Sequence, residues 1–402
     1  MGTMGRILGT AGIATGVLGA AALGGVTAQR VAVRKYQTAQ AALLTEPGAD
    51  PAFESLRADR TYSVDAVDGV ALYVEEVGPA DAPLTVIFSH GWTLRMGSWH
   101  YQRLALAGPG FGELPEPEPI AATRRNRRNA TTITTEPPTA RLVFYDHRSH
   151  GKSTRAPDGH STMDYLAGDL RSVIDTAAPT GPVVLIGHSM GGMAILHLAA
   201  ADPDLFAERI AGVGLVCTGA TYLKPSELNK LLMAGGNPLV RVLKVVGSRY
   251  PAIFERGRAS NRDVVWLLTR SLGFSGKDVS GALVDYLDEM VSSTPVEVIA
   301  EFLPALFAHD QTDAVPALAG IPTMIVAGDQ DRMTPLDRAR RIAEVLPDAE
   351  IVVAQGSGHM MMMEDPAVTN EALRRLLRRA ADRVREREIA RRKGFRRSRA
   401  GR

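Results

Sequence analysis

A single cysteine, Cys217, stands in a chain of 402 residues. No intramolecular disulfide is therefore available, and the thiol count gives no sign of an oxidising compartment. Cys217 follows the apolar run Gly214-Leu215-Val216 and reads as a buried structural thiol. No internal repeat is present. Net charge is nearly absent as well, at +2, but the total hides an asymmetry. Residues 383–402 hold ten Lys/Arg against Glu386 and Glu388, a net of +8, which leaves −6 on residues 1–382. A mildly acidic body argues against nucleic-acid binding, whereas the basic tail suits phosphates of any kind. With 45% hydrophobic and 22% charged residues, the chain can bury a full core and still carry appendages.

One stretch lacks charge altogether. Residues 7–28, rich in Ala and Gly, run for 22 positions without an ionisable side chain, long enough to cross a bilayer. Residues 1–35 thus read as a membrane anchor, with a cleaved signal peptide ending near Val26-Thr27-Ala28 or a peripheral segment as alternatives. Arg6 flanks the stretch on one side and Arg30, Arg34 and Lys35 on the other. That bias puts the body in the cytoplasm, with export as the alternative.

After a helical connector over residues 30–58, two alternating runs, Thr61–Asp65 and Val70–Glu75, meet at Asp68-Gly69 as an antiparallel hairpin. Short apolar runs then end one after another in polar loops: Leu84–Phe88, Arg141–Tyr145, Val183–Ile186, Ile210–Cys217, Thr323–Ala327 and Ile351–Ala354. Helical patterns separate most of them. Such alternation predicts an α/β fold, with a mostly parallel central sheet, flanking helices, and functional loops at the strand C-termini. Two insertions break the rhythm of this 60–380 domain. Residues 108–140, with Pro-Glu-Pro-Glu-Pro and Arg124-Arg-Asn-Arg-Arg128, have too few apolar residues for a core and read as a disordered, solvated loop. Residues 221–310 are helical in pattern and lie between two core strands, the natural place for a cap over the site.

The chemistry concentrates at Gly187-His188-Ser189-Met190-Gly191, which an apolar β-branched run enters and an Ala/Leu-rich helical stretch leaves. This is the G-x-S-x-G elbow that lifts a serine hydroxyl clear of a sheet, the outer glycines being required sterically. A serine hydroxyl needs a base to take its proton, and the base needs a carboxylate to orient it. His359, in a Gly-Ser-Gly-His loop after the last apolar run, is the candidate base. Gly328-Asp329-Gln330-Asp331 offers two carboxylates between nucleophile and base. Asp331 is preferred as the acid, because Asp329 follows the strand directly and suits a turn. The backbone N–H groups of Met190 and of Trp92, in the turn His90-Gly91-Trp92, would cradle an oxyanion. Trp92 and His90 are candidates for substrate contact, while Trp99 reads as core. Met360–Met363 read as helix packing against the sheet rather than as an acyl wall.

With these motifs in order, the chain resembles the α/β-hydrolase-fold enzymes of the esterase/lipase type over about residues 60–380, the cap matching in position only. The matching motifs are His90-Gly91-Trp92, Asp146-x-Arg148-x-His150-Gly151-x-Ser153, Gly187 to Gly192, and Gly328-x-x-Asp331 followed by His359. The second departs from the family in having Ser149 where glycine is usual; in the family that loop is structural, which overrides a metal reading of His147 and His150. The resemblance implies no cofactor, no metal and a small-molecule ester substrate, apolar in view of the cap. Ser189 argues against the epoxide hydrolases and haloalkane dehalogenases of this fold, which use a carboxylate. Haloperoxidase- or perhydrolase-like and carbon–carbon bond hydrolases share the triad, and a membrane-tethered binding protein with a vestigial triad is the alternative from another class.

Overall fold

The computed structural model describes residues 53, 56–107, 139–221, 262–275 and 279–400. The uncharged 7–28 stretch, nearly all of the 108–140 insertion and residues 222–261 of the expected cap lie outside the described residues. Eight strands form one sheet in the order β1-β2-β4-β3-β5-β6-β7-β8. The hairpin β1 (Arg60–Asp65) and β2 (Ala71–Val77) is antiparallel, as its alternation predicts, and β2 pairs antiparallel with β4 (Arg141–Tyr145). All remaining pairings, through β3 (Thr85–Ser89), β5 (Val183–His188), β6 (Ile210–Val216), β7 (Thr323–Gly328) and β8 (Glu350–Ala354), are parallel. The central strands β3, β5, β6 and β7 are buried at every residue, because helices cover both faces; hence their unbroken apolar runs.

Chain order reverses at β3, which lies between β4 and β5, and the crevice beyond the strand C-termini there is where ligands bind in open α/β sheets. One apolar layer joins the sheet to α2 (Met163–Ala177), α3 (Met190–Ala201), α4 (Pro203–Glu208) and α8 (Leu336–Val345). The other joins it to α1 (His100–Leu106), α9 (Met361–Glu364) and the long α10 (Pro366–Ala400). Met360–Met363 are all buried in this second layer, matching the packing role read from sequence. Trp99 is fully buried edge-on to Phe88, also as expected.

Between β6 and β7 the described part of the expected cap is three helices, α5 (Arg262–Gly273), α6 (Gly281–Ser293) and α7 (Val296–Ala308). Polar ties fasten it to the body: Arg155 to Glu301 at 2.5 Å, Arg95 to Glu289 at 3.1 Å, and Thr294 Oγ1 to the Thr93 carbonyl at 3.2 Å. Among the described residues no single helix is long and apolar enough to cross a membrane, though α6 and α7, bent by 90°, would pass together on length and composition. The basic C-terminus is not a separate tail. It continues α10, which is helical from Pro366 to Ala400, and Arg387 ties that helix to the carbonyls of Ala207 and Glu208.

The Asp146–Ser153 motif is a buried brace. All five N–H donors of Arg148 are engaged: a bidentate pair to Asp169 at 2.6 and 2.7 Å, two bonds to Asp68, and one to the His160 carbonyl. Its guanidinium also lies 4.6 Å over the Tyr165 ring. One side chain thus joins the β1–β2 turn, α2 and the loop that leads from β4 into α2. Ser149 has φ 64°, in the left-handed region, which explains why glycine is usual there; its hydroxyl compensates by accepting from Ala156 N at 2.9 Å. Replacing Arg148 by Met leaves two carboxylates facing each other without their cation. The expected loss is about 3–5 kcal/mol of unfolding free energy, read by denaturant titration. A loss below about 1 kcal/mol would show the brace to be dispensable.

Candidate active site

The fully buried β5 runs into Ser189, which has φ 50° and ψ −115°, and the chain leaves at once in α3. No room exists for a wider turn. A methyl on Gly187 would lie 2.5 Å from Gly192 N, and one on Gly191 would land on the Ser89 carbonyl. This is the steric demand that the motif implies. The strained serine is pinned on both sides: its N–H donates to the Val216 carbonyl at 3.0 Å, and its carbonyl accepts from Thr218 Oγ1 at 2.8 Å. Such a conformation costs about 1–3 kcal/mol and persists only where its surroundings over-determine it. At 7% exposure the residue is just open to the crevice.

Asp331 and His359 come together as expected. His359 Nδ1 donates to Asp331 Oδ2 at 2.8 Å. Thr334 Oγ1 donates to the same oxygen at 2.7 Å, while Oδ1 accepts the N–H groups of Met333 and Thr334 at 2.8 and 2.9 Å. Burial by itself would raise the Asp331 pKa. The His359 charge, the bond to it and the Thr334 bonds outweigh burial and hold the carboxyl below the usual 3.8. Asp329 instead accepts Gly356 N at 2.7 Å and ties the β7 and β8 loops, the turn role its place directly after the strand predicts. Thr334 was missed, although an Asp with Thr three residues on is a sequence signal for this local capping. Cys217 is the buried thiol expected; burial and then the Asp331 charge raise its pKa well above 9.0.

The Trp92 turn follows β3. Among the described residues no hydrogen bond takes up the Trp92 backbone N–H, and Met190 begins α3, where helix N–H groups lack intrahelical partners. Both donors are therefore available where an oxyanion hole was expected. The half-buried Trp92 side chain packs against an apolar cluster that holds Met190 and Met193 of α3 and Val298, Phe302 and Leu306 of the cap, and Met190 is the residue next to Ser189.

His90 corrects the sequence reading. It is wholly buried, its Nδ1–H donates to the Gly91 carbonyl at 2.8 Å, and its Nε2 accepts His147 N at 3.0 Å. Neither nitrogen is left for substrate, so the ring organises the turn instead. His147 and His150 brace the same turn: His147 Nε2 bonds the His90 carbonyl and Ser89 Oγ, and His150 Nε2 accepts Thr93 N at 3.2 Å. No group of three His, Cys, Asp or Glu suited to a metal occurs among the described residues.

The family model for the alpha/beta hydrolase family matches residues 86–372. The chain belongs to that family. It is 27% identical over 323 residues to a non-heme chloroperoxidase of Streptomyces lividans, covering 77% of this chain and 97% of the relative. It is 25% identical over 318 residues to a bifunctional esterase/perhydrolase of Acinetobacter calcoaceticus, covering 78% and 99%. Among solved structures it resembles a bromoperoxidase from Bacillus anthracis (TM-score 0.58, 21% identity, 79% and 100% covered). It also resembles a thermophilic esterase from Thermogutta terrifontis (TM-score 0.55, 23% identity, 80% and 99% covered). This alpha/beta hydrolase is an enzyme with esterase and non-heme haloperoxidase relatives.

Burial makes the core of this hydrolase acid-sensitive. It depresses His147 and His188 to about 3 and His150 and His309 to about 4, with nearby rings adding to the effect in each case but His150, and it takes His90 well below 6.5. The unfolded chain binds protons on these rings below pH 6.5 and the folded chain does not, so their stabilisation is complete above 6.5 and is lost as pH falls toward 4. Asp146, raised by burial to about 6, acts in the opposite sense and offsets one of them. Each uncompensated proton steepens the fall by up to about 1.4 kcal/mol per pH unit. The melting temperature should be flat from about pH 8 to 7 and drop steeply between about 6 and 5; a flat profile down to 5 would refute this.

Proposed function

We propose that this enzyme cleaves a carboxylic ester through Ser189, His359 and Asp331 by way of an acyl-enzyme. The observation that carries the reading is the 2.8 Å bond from His359 Nδ1 to a carboxylate that three further donors hold in place, in the same crevice as a strained serine. Asp331 fixes the tautomer that leaves His359 Nε2 free to accept the serine proton. Ser189 Oγ attacks the ester carbonyl, and the oxyanion that forms is met by the N–H groups of Met190 and Trp92. Collapse breaks the ester C–O bond, and the alcohol leaves with the proton from His359. Water then repeats the sequence, releasing the acid and restoring Ser189. The apolar cluster of Trp92, Met190 and Phe302 favours an apolar acyl group.

The named relatives favour a second reading, in which hydrogen peroxide replaces water at deacylation and the product is a peracid. Carbon–carbon bond hydrolysis has no such support. A vestigial triad on a binding protein is opposed by the complete hydrogen-bond set around Asp331. Ser189→Ala should lose at least about a thousandfold in kcat on p-nitrophenyl esters and all labelling by a fluorophosphonate, with an unchanged melting temperature. Asp331→Asn should be far more damaging than Asp329→Asn. Near-wild-type turnover by the alanine variant, or the reverse ranking of the two aspartates, would sink the assignment.

For localisation we propose a membrane face, with the body cytoplasmic. The support is the uncharged 7–28 stretch and the net +8 of residues 383–402, most of which continue the α10 helix. Near an anionic leaflet each basic residue adds about 1 kcal/mol, screened by salt. Fractionation of the full chain and of versions lacking residues 1–35 or 383–402 should show stepwise release from the membrane fraction. Full-length protein found only in the soluble fraction at low salt would refute the proposal, and a mature N-terminus near Gln29 would indicate export.

A further inference from the structure

One ring in the crevice has no part in the chemistry above. His188 is the last residue of β5, directly before Ser189, and is 1% exposed. Its Nε2–H donates to the backbone carbonyl of His359 at 3.0 Å. Its ring lies 4.8 Å from the His359 ring, tilted by 51°, and stands edge-on to Trp99 at 6.3 Å. On the other side it abuts the turn after β3, since a methyl on Gly91 would lie 2.7 Å from His188 Nδ1. Nδ1 itself is buried and has no hydrogen-bond partner among the described residues. A single side chain therefore touches the strand end that carries the nucleophile, the turn that carries an oxyanion donor, and the loop that carries the base.

The base loop Gly356-Ser357-Gly358-His359 contains two glycines, and its other hydrogen bonds hold residues before the base: Gln330 N to the Ser357 carbonyl at 3.0 Å, Gly356 N to Asp329 at 2.7 Å, Ser275 Oγ to the Gly356 carbonyl at 2.6 Å, Gly358 N to Glu364 at 2.6 Å, and Cys217 Sγ to the Gly358 carbonyl at 3.8 Å. Asp331 orients the imidazole but sits on the β7 loop and does not set its distance from β5. Only the His188 bond joins the residue beside the nucleophile to the backbone of the base, among the hydrogen bonds of the described residues. Proton transfer needs donor and acceptor within hydrogen-bond reach, and a misplacement of about 1 Å costs on the order of a hundredfold in rate.

We infer that His188 is a positioning residue which, through its bond to the His359 carbonyl, sets the separation between Ser189 and His359. The inference rests on the ester-cleavage reading above. Burial, and after it the neighbouring His359 charge, take the His188 pKa to about 3, so the ring remains a neutral single donor and places no second cation beside the imidazolium that forms in the reaction. A donor at the Nε2 position is what the role requires. The amide nitrogen of glutamine reaches that position, whereas that of asparagine reaches only the Nδ1 position and leucine has no donor.

The test compares His188→Gln, His188→Asn and His188→Leu in the full chain, with kcat and KM measured on p-nitrophenyl esters. The expected result is a fall of about ten- to a hundredfold in kcat for Asn and Leu, KM within about twofold, and Gln within about threefold of wild type. Should the leucine variant not fold, the Gln and Asn pair decides, since both are polar and differ only in reach. Equal losses in Gln and Asn, wild-type kcat in all, or failure of all three to fold would overturn the inference. Wild type and Ser189→Ala judge the ester reading separately. If wild type reacts with a fluorophosphonate but turns over no ester, that reading falls, and the labelling rate constant of the same variants then decides the role of His188.

Discussion

The backbone turn at Ser189 is the constraint on which the molecule is built. A buried strand must pass into a buried helix within one residue, and the residue that does so sits at φ 50°. The cost falls on the surroundings. Gly187 and Gly191 must lack side chains, β3 must come close enough for its Ser89 carbonyl to touch Gly191, and β6 must supply Val216 and Thr218 to hold the serine backbone. The nine buried residues of α3 follow from the same demand, because a helix leaving from mid-sheet is covered by its neighbours until its end, where Ala200 and Ala201 are exposed.

A second theme is the use of neutral histidine as interior bracing. His90, His147, His150 and His188 are all buried, and each bonds a backbone group of the turn after β3, of the adjoining motif or of the base loop. A neutral imidazole is one donor and one acceptor in fixed directions, so it can join two loops without bringing a charge into the core. The charges that do enter are compensated: Arg148 by Asp169 and Asp68, and Asp331 by four donors. The result is a core where the Asp331 carboxylate is stabilised and His90, His147, His150 and His188 are held uncharged near neutral pH.

Much of this was legible in the chain. The six core strands, the hairpin, the strained turn at Ser189, the pairing of His359 with Asp331 and the turn role of Asp329 all rest on local signals: apolar runs, glycine spacing, and a carboxylate placed at a strand end. The role of His90 was misread for an equally physical reason. A histidine in a loop beside a predicted oxyanion turn looks accessible in sequence, and only the structure shows Nδ1 turned onto the neighbouring Gly91 carbonyl and Nε2 taken up by the loop after β4. The basic terminus was read as a tail because charge runs resemble solvated coil, yet arginine is a good helix former and α10 carries straight through it.

Sequence alone therefore determined the elements and the chemistry that each loop can offer, since those depend on side-chain type and on spacing along one strand or turn. Tertiary structure decided which groups remain free to react and which are used up in holding others. His188 and His359 are 171 positions apart in the chain and 3.0 Å apart across a hydrogen bond, and Thr294 of the cap meets Thr93 over 201 positions. Contacts of that range are set by the parallel order of the sheet, which brings the C-terminal ends of β3, β5, β7 and β8 to one edge, and no local pattern encodes them.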